Sequence, residues 1–142
     1  MSIETTRITM ERYAEALLAF GDFGRHLAED VTMTFEGTDR VVKGRDAVRD
    51  TIVFFHQRAF RSAIELKSLV CGERLAAIEA VFAGEHIGDF EGVAPTHHRV
   101  NVPYQVTYDV DGDRIRALRL YFPFELLMRQ LAGVANEVSV VG

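Results

Sequence analysis

The sequence contains a single cysteine, Cys71, and no long hydrophobic run. One cysteine excludes an internal disulfide, which favours a reducing compartment. The N-terminal stretch MSIETTRITMERYAEALLAF carries acidic residues early and lacks the apolar segment of a secretory signal. No other stretch approaches the roughly 20 apolar residues that a membrane-spanning helix requires. These absences predict a cytoplasmic protein with no membrane partner.

Excess positive charge and several site motifs are also missing. The chain has 21 acidic residues against 16 lysines and arginines, a net charge of −5, which disfavours a nucleic-acid partner. It has neither a glycine-rich phosphate loop nor a G-x-S-x-G elbow. Adjacent histidines such as His97 and His98 point to opposite faces where the chain is extended, and no zinc-site spacing is present. We therefore expect no metal site and no cofactor.

The remaining composition fits one globular domain, which we assign to residues 1–142. Helical spacing of apolar residues predicts helices over residues 8–20, 22–30 (with Asp22 as the N-cap), 44–60 and 124–132. Alternation predicts strands over residues 31–37, 62–70, 74–88, 99–110 and 113–122. Helices on one side of an antiparallel sheet make an α+β domain, and a long twisted sheet curls around them.

The faces of the long strands indicate what lies inside. Even positions of the strand over residues 99–110 are apolar and include Tyr104, so this face is expected to meet the helices. Both faces of the strand over residues 74–88 are largely apolar, which predicts a central strand. Its Glu79 is expected to be an outer carboxylate paired with a cross-strand arginine. Alternation does not decide which face of the last strand turns inward, so Arg119 is either a pocket cation or an outer ion-pair partner.

Two histidines are candidates for chemistry. His86 ends a long strand ahead of the loop IGDFEGVAPTHHR, where its imidazole suits a general acid or base near neutral pH. The alternative is a capped or exposed residue at the end of a strand. His56 lies late in the third helix beside Phe54 and Phe55, and we expect it at the edge of the core.

Residues 85–133, which begin with EHIGDFEG and end with YFPFELLMRQLAG, resemble the SnoaL-like (polyketide cyclase-like) branch of the nuclear transport factor two-like superfamily. The earlier stretches LAEDVTMTFEG and VKGRDAVRDTI resemble that superfamily as well, so the likeness spans nearly the whole chain. The residues that carry it are an H-x-G-x-F-x-G element, a following turn, a hairpin and a closing helix: His86, Gly88, Phe90, Gly92; Pro95, Thr96; Gly112, Arg114, Ile115; Leu126, Leu127, Gln130 and Leu131.

The resemblance implies a cone-shaped α+β fold, in which a curved antiparallel sheet wraps around N-terminal helices and a short C-terminal helix follows. It also implies an internal apolar pocket and a homodimer through the sheet. A tyrosine in the first helix of the steroid isomerases corresponds in place to Tyr13. We accordingly predict His86 as a base, Tyr13 or Tyr104 as a donor to a carbonyl oxygen, and these pocket residues: Phe35, Phe55, Tyr104, Val106, Arg119 and Tyr121.

The sequence departs from the family pattern at three places. The closing motif usually has an aspartate after Y-F, and here the position is Pro123, which carries no proton. The base of the steroid isomerases, an aspartate at the end of the early strand, has no match, since the nearest residues are Phe35 and Glu36. The turn usually has glycine or asparagine after the threonine, and here it is His97.

Three functions stay open. Family members include cyclases, steroid isomerases, epoxide hydrolases, dehydratases and pure binding modules, so the fold does not settle the activity. We favour a module that binds a small apolar or aromatic molecule, polyketide- or steroid-like. The alternative is a divergent, cofactor-free enzyme that transfers protons without the usual aspartate. A structural dimer with a filled core is the third.

Overall fold

The computed structural model describes residues 2–133, so the ends of the domain assigned to residues 1–142 lie outside it. A 3₁₀ turn over Phe23–His26 precedes the first strand, and a π-helical segment over Phe54–Ala59 precedes the third. None of the helices within residues 2–133 is long and apolar enough to cross a membrane. The regular elements are α1 Ile3–Leu18, β1 Leu27–Phe35, β2 Val41–Lys43, α2 Arg45–Val53, β3 Phe60–Cys71, β4 Leu75–His86, β5 Arg99–Asp111, β6 Arg114–Tyr121 and α3 Phe124–Leu131.

The strands form one curved, unclosed sheet in the order β2-β1-β6-β5-β4-β3. The last four strands make an antiparallel meander, as predicted. β1 lies parallel to β6, however, so the sheet is mixed. A parallel neighbour requires a long crossover, which α2 and the meander supply here. The predicted α+β class is confirmed, with its sheet curved around N-terminal helices and its short C-terminal helix.

Helix α1 begins earlier than its apolar spacing predicts. The side-chain oxygen of Ser2 caps its first turn. Two buried threonines then replace apolar contacts with hydrogen bonds to turns of the sheet. Thr6 donates its hydroxyl to the carbonyl of Glu73, and Thr9 donates to the carbonyl of Gly112 at 2.9 Å. Hydrophobic periodicity does not detect such contacts, which dock α1 across two hairpin ends.

The predicted helix over residues 22–30 is wrong beyond its first turn. Asp22 makes no side-chain cap, and Leu27 already belongs to β1. The β1–β6 register shifts between Leu27 and Thr32, and the burial pattern there is two buried residues followed by two exposed ones. That pattern imitates a helical turn, because a β-bulge interrupts the alternation of a strand.

The core has two parts. The larger lies between α1, α2 and the inner face of the sheet, and the smaller lies beneath α3 around Phe60 and Phe82. Even positions of β5 face inward, as predicted. Phe55, Tyr104 and Phe124 pack against both parts, and the cavity described below lies at this junction.

A side chain of α3 completes the edge of β5 beyond the last residue of β6. The Oε1 atom of Gln130 accepts the N–H of Asn101 at 2.7 Å, and its Nε2 donates to the Asn101 carbonyl at 2.9 Å. Pro103 lies between this pair and Gln105, which is opposite the end of β6. Because proline has no N–H, the gap contains no unpaired donor.

Gln130→Ala is expected to lower the free energy of unfolding by about 2 kcal/mol, because both backbone groups of Asn101 lose their partner beneath α3. Urea unfolding measures this change. Gln57→Ala is the matched control, since Gln57 is exposed, and it is expected to alter stability by no more than about 0.5 kcal/mol. Equal midpoints for the two variants would show that Gln130 does not anchor α3.

Candidate functional site

An apolar cavity of about 60 Å³ lies between the helices and the inner face of the sheet. No residue that lines it is an acid, a lysine or an arginine. The lining residues are Tyr13, Leu17, Met33, Phe35, Ile52, Phe55, His56, Ile64, Ile78, Phe82, Tyr104, Val106, Tyr108, Leu118, Leu120, Phe122 and Phe124.

Five of the residues that we predicted for the site line this cavity. They come from four different elements of the fold, which the curvature of the sheet brings together. Their part in binding or catalysis stays a prediction. They are Tyr13, Phe35, Phe55, Tyr104 and Val106.

Two other predicted pocket residues, Arg119 and Tyr121, lie outside the cavity. β6 directs Leu118 and Leu120 into the cavity wall. Alternation along the strand therefore directs Arg119 and Tyr121 to the outer face of the sheet. The sequence left the orientation of β6 open. In the parallel pairing with β1, Leu120 lies beside Phe35, and both side chains line the cavity.

The outer face holds Arg119 in a local ion pair. Its two terminal nitrogens donate to the carboxylate of Asp109 at 2.9 and 3.0 Å, and Nε donates to the Thr107 hydroxyl at 3.0 Å. Of the two alternatives for Arg119, the structure therefore supports the ion-pair partner. Glu79 is an outer carboxylate as expected, but it accepts from the Ser68 hydroxyl at 2.8 Å rather than from an arginine.

His86, the predicted base, is fully buried and does not line the cavity. The backbone N–H of Thr96 donates to its Nδ1 at 3.0 Å, so the ring proton lies on Nε2. Within residues 2–133, Nε2 has no hydrogen-bond partner. The ring packs against Phe60 at 5.2 Å in the core beneath α3. His86 was expected in the pocket, and the structure corrects this position. The loop after β4 donates a hydrogen bond to the imidazole, and the ring points into the core beneath α3.

Each position of the H-x-G-x-F-x-G element has a structural reason. A Cβ atom on Gly88 would lie 2.2 Å from the carbonyl oxygen of Arg58. Phe90 is buried, and Gly92 has a φ of +78°, which favours glycine. His97 has a φ of +60°, in the left-handed region that glycine and asparagine adopt most readily. The element therefore builds the loop after β4.

His56 is the histidine that lines the cavity. The π-helical segment carries it, between the rings of Phe20 at 5.6 Å and Phe82 at 5.1 Å. Its Nδ1 lies 2.8 Å from the hydroxyl oxygen of Ser62. Burial lowers the pKa of His56 to about 4, so the ring is neutral at pH 7. Phe54 and Phe55 were the sequence signal that His56 is buried. The α-helical period did not predict that its side chain faces the cavity, because side-chain directions differ on a π turn.

Three phenol groups are the other polar groups of the wall. They belong to Tyr13, Tyr104 and Tyr108, and the rings of Tyr13 and Tyr108 lie 5.9 Å apart. Within residues 2–133 their hydroxyls form no hydrogen bond. Burial raises the pKa of all three phenols above the ordinary value, so they stay protonated and can donate to a ligand oxygen. Sequence alternation placed Tyr108 on the inner face, and only the cavity shows its relation to Tyr13.

Position 123, where the family pattern implies an acid, lies outside the wall. Pro123 is exposed and precedes α3 as its N-cap residue, one position earlier than proline's favoured first helical position. Its neighbours Phe122 and Phe124 both line the cavity. Glu36, at the end of β1, borders an open depression that also contains Pro123. No carboxylate from residues 2–133 therefore reaches the cavity.

Solved structures of several other proteins have the same fold. A structure from Jannaschia sp. CCS1, provisionally assigned as a SnoaL-like polyketide cyclase, is 15% identical with a TM-score of 0.81, covering 93% of this chain and 94% of that one. AclR from Streptomyces galilaeus, provisionally assigned as a hydroxylase, is 20% identical with a TM-score of 0.79 and coverages of 99% and 88%. A provisionally assigned ketosteroid isomerase from Kribbella flavida is 18% identical with a TM-score of 0.65 and coverages of 85% and 79%.

These identities are low enough that the three structures show a shared fold alone. A search of curated protein sequences finds no match. The family model described as SnoaL-like polyketide cyclase, however, matches residues 7–131, from α1 through the last residue of α3. Because that match includes every element that surrounds the cavity, the chain belongs to the SnoaL-like polyketide cyclase family.

Proposed function

We propose that this protein binds a small, neutral, apolar or aromatic molecule, polyketide- or steroid-like, in the cavity. The observation that carries the proposal is the set of three protonated phenols without a protein partner in an otherwise apolar wall. A ligand carbonyl or hydroxyl oxygen would accept their hydrogen bonds. A carboxylate or phosphate would be buried without a cation, which is unfavourable. The site is therefore suited to neutral ligands.

The wall must open to admit such a ligand, because pockets for small molecules usually have about 300–1,000 Å³ and this cavity has about 60 Å³. Four aromatic side chains of the wall are only half-buried: Phe55, Tyr104, Phe122 and Phe124. They are the part of the wall that a ligand can displace without disturbing the fully buried core. We propose that their movement enlarges the cavity.

His56 favours a second candidate function, proton transfer without a cofactor. Its neutral imidazole and the phenol donors line one cavity, which is the combination of a base and an oxygen-polarising donor. With a pKa of about 4, His56 is a weak base. It suits a substrate proton that is already acidic, such as one between two carbonyl groups. We place binding first because the wall contains no stronger base.

Replacing all three cavity tyrosines by phenylalanine is expected to weaken the binding of neutral ligands at least about tenfold, since it removes the donors and keeps the ring shapes. The probes are polycyclic aromatic ketones and steroid enones, with carboxylated analogues beside them. Ligand fluorescence gives the dissociation constants of the aromatic ketones, since the chain has no tryptophan to obscure it, and calorimetric titration gives those of the steroid enones. Tyr121→Phe is the matched control, since this exposed tyrosine lies on the outer face.

The proposal is contradicted if carboxylated analogues bind as tightly as neutral ones, or if Tyr121→Phe weakens binding as much as the triple change. Absorbance of the same mixtures reports turnover. Turnover that His56→Gln abolishes supports the second candidate function. Turnover that survives His56→Gln excludes His56 as the base, and tight binding without turnover supports the first candidate.

A homodimer through the sheet and a cytoplasmic location stay predictions. The outer face of the sheet has exposed apolar residues that a second copy would cover, among them Val70, 63% exposed, and Tyr121, 49% exposed.

A further inference from the structure

We propose that a second binding site, for a tetrahedral oxyanion such as a sulfate or phosphate group, lies where α1, the 3₁₀ turn and the β5–β6 turn meet. These segments enclose a cleft of about 270 Å³. It shares no lining residue with the apolar cavity. The residues that line the cleft are Thr9, Arg12, Arg25, His26, Asp113 and Arg114.

The cleft gathers cations in a protein whose net charge is −5. Arg114 is paired with Asp113 at 2.9 Å, which offsets one positive charge. Within residues 2–133, Arg12 and Arg25 form no ion pair and no hydrogen bond. Two guanidinium groups are thus available to a ligand, and planar guanidinium forks match the oxygens of a tetrahedral anion.

The backbone around the cleft is held in place. The Thr9 hydroxyl donates to the carbonyl of Gly112 at 2.9 Å and fixes α1 against the β5–β6 turn. Gly112 has a φ of +62°, as a tight hairpin turn requires. His26 and Arg114 are half-buried, whereas Arg12 and Arg25 are exposed. His26 and Arg114 are therefore less accessible to solvent than the two unpaired arginines.

His26 reports the positive potential of the cleft. Burial lowers its pKa, and the charges of Arg25, Arg114 and Arg12 lower it further, while Asp22 acts in the opposite direction. An anion in the cleft would counter the arginines and favour the protonated ring. Since anion binding and protonation of His26 then support each other, affinity is expected to rise as the pH falls toward the lowered pKa of His26.

Sulfate is the first probe, because it stays a dianion while His26 takes up its proton. Calorimetric titration at constant ionic strength is expected to show saturable binding. The double variant Arg12→Gln/Arg25→Gln is expected to bind at least about tenfold more weakly. Arg116→Gln is the matched control, since Arg116 lies on the same hairpin but pairs with Asp30 and Asp111 outside the cleft.

A second arm distinguishes the source of the anion. Phenyl phosphate that binds more tightly than inorganic phosphate assigns the cleft to a phosphate monoester, and equal affinities assign it to the free anion. If sulfate binds more tightly at low pH and His26→Gln removes this pH dependence, the result supports the cleft as the binding site. The proposal is overturned if sulfate binding is not saturable, or if Arg116→Gln weakens it as much as the double variant does.

Discussion

Gly84→Ala is expected to lower the free energy of unfolding by about 3–5 kcal/mol. A Cβ atom on Gly84 would lie 2.3 Å from the carbonyl oxygen of Arg61 and 2.6 Å from the Cα of Ser62. Both atoms are backbone of β3, which pairs with β4 at this position. The strand cannot move away without breaking that pairing. Because Ser62 also contacts His56, a displaced β3 would disturb the cavity wall as well.

Gly88→Ala is expected to have a comparable effect, since its Cβ would lie 2.2 Å from the Arg58 carbonyl oxygen. Gly21→Ala is the control. The nearest atom to a Cβ there is the Ala16 carbonyl oxygen at 3.7 Å, an ordinary contact. Urea unfolding compares the three variants. If Gly84→Ala unfolds at the same urea concentration as Gly21→Ala, β3 and β4 do not approach each other as closely as described.

Acid is expected to destabilise the protein through His56, by up to about 3 kcal/mol between pH 6.5 and pH 4. The ordinary pKa of 6.5 applies to the unfolded chain, whereas burial lowers the pKa to about 4 in the folded protein. Below pH 6.5 the unfolded chain therefore binds a proton that the folded protein excludes. Each pH unit of this gap corresponds to about 1.4 kcal/mol. The loss begins near pH 6.5 and is complete near pH 4.

Two variants separate burial from hydrogen bonding as the cause. His56→Gln cannot take up a proton, so its stability is expected to fall less than that of the wild type between pH 7.5 and pH 4.5. Ser62→Ala removes the partner of Nδ1 but leaves the ring buried, so it is expected to keep the wild-type loss. Urea unfolding at both pH values provides the comparison, with each variant referred to its own stability at pH 7.5. An unchanged loss in His56→Gln would show that other groups cause the acid sensitivity.

The two-residue period of the later strands determined much of the fold. Long alternating runs and a D-G turn predict an antiparallel meander, because successive side chains of a strand point to opposite faces and a D-G turn joins adjacent strands. The same period directed Tyr104 and Val106 inward, and both line the cavity. Family resemblance added the curved sheet around N-terminal helices, which the structure confirms.

The tertiary structure decided which histidine reaches the cavity and which side chains of β6 line it. The parallel pairing of β1 with β6 is a contact between distant segments, and it determines that Leu120 turns inward and Arg119 outward. Contacts outside the regular elements also determine that His56, and not His86, lines the cavity. His86 is turned into the core by a loop that donates to its ring, and a π turn brings His56 to the cavity. The sequence by itself thus determined the long strands of the meander and the inner face of β5, because these follow from local periodicity. The pairing of distant segments and the irregular turns decided which polar groups meet.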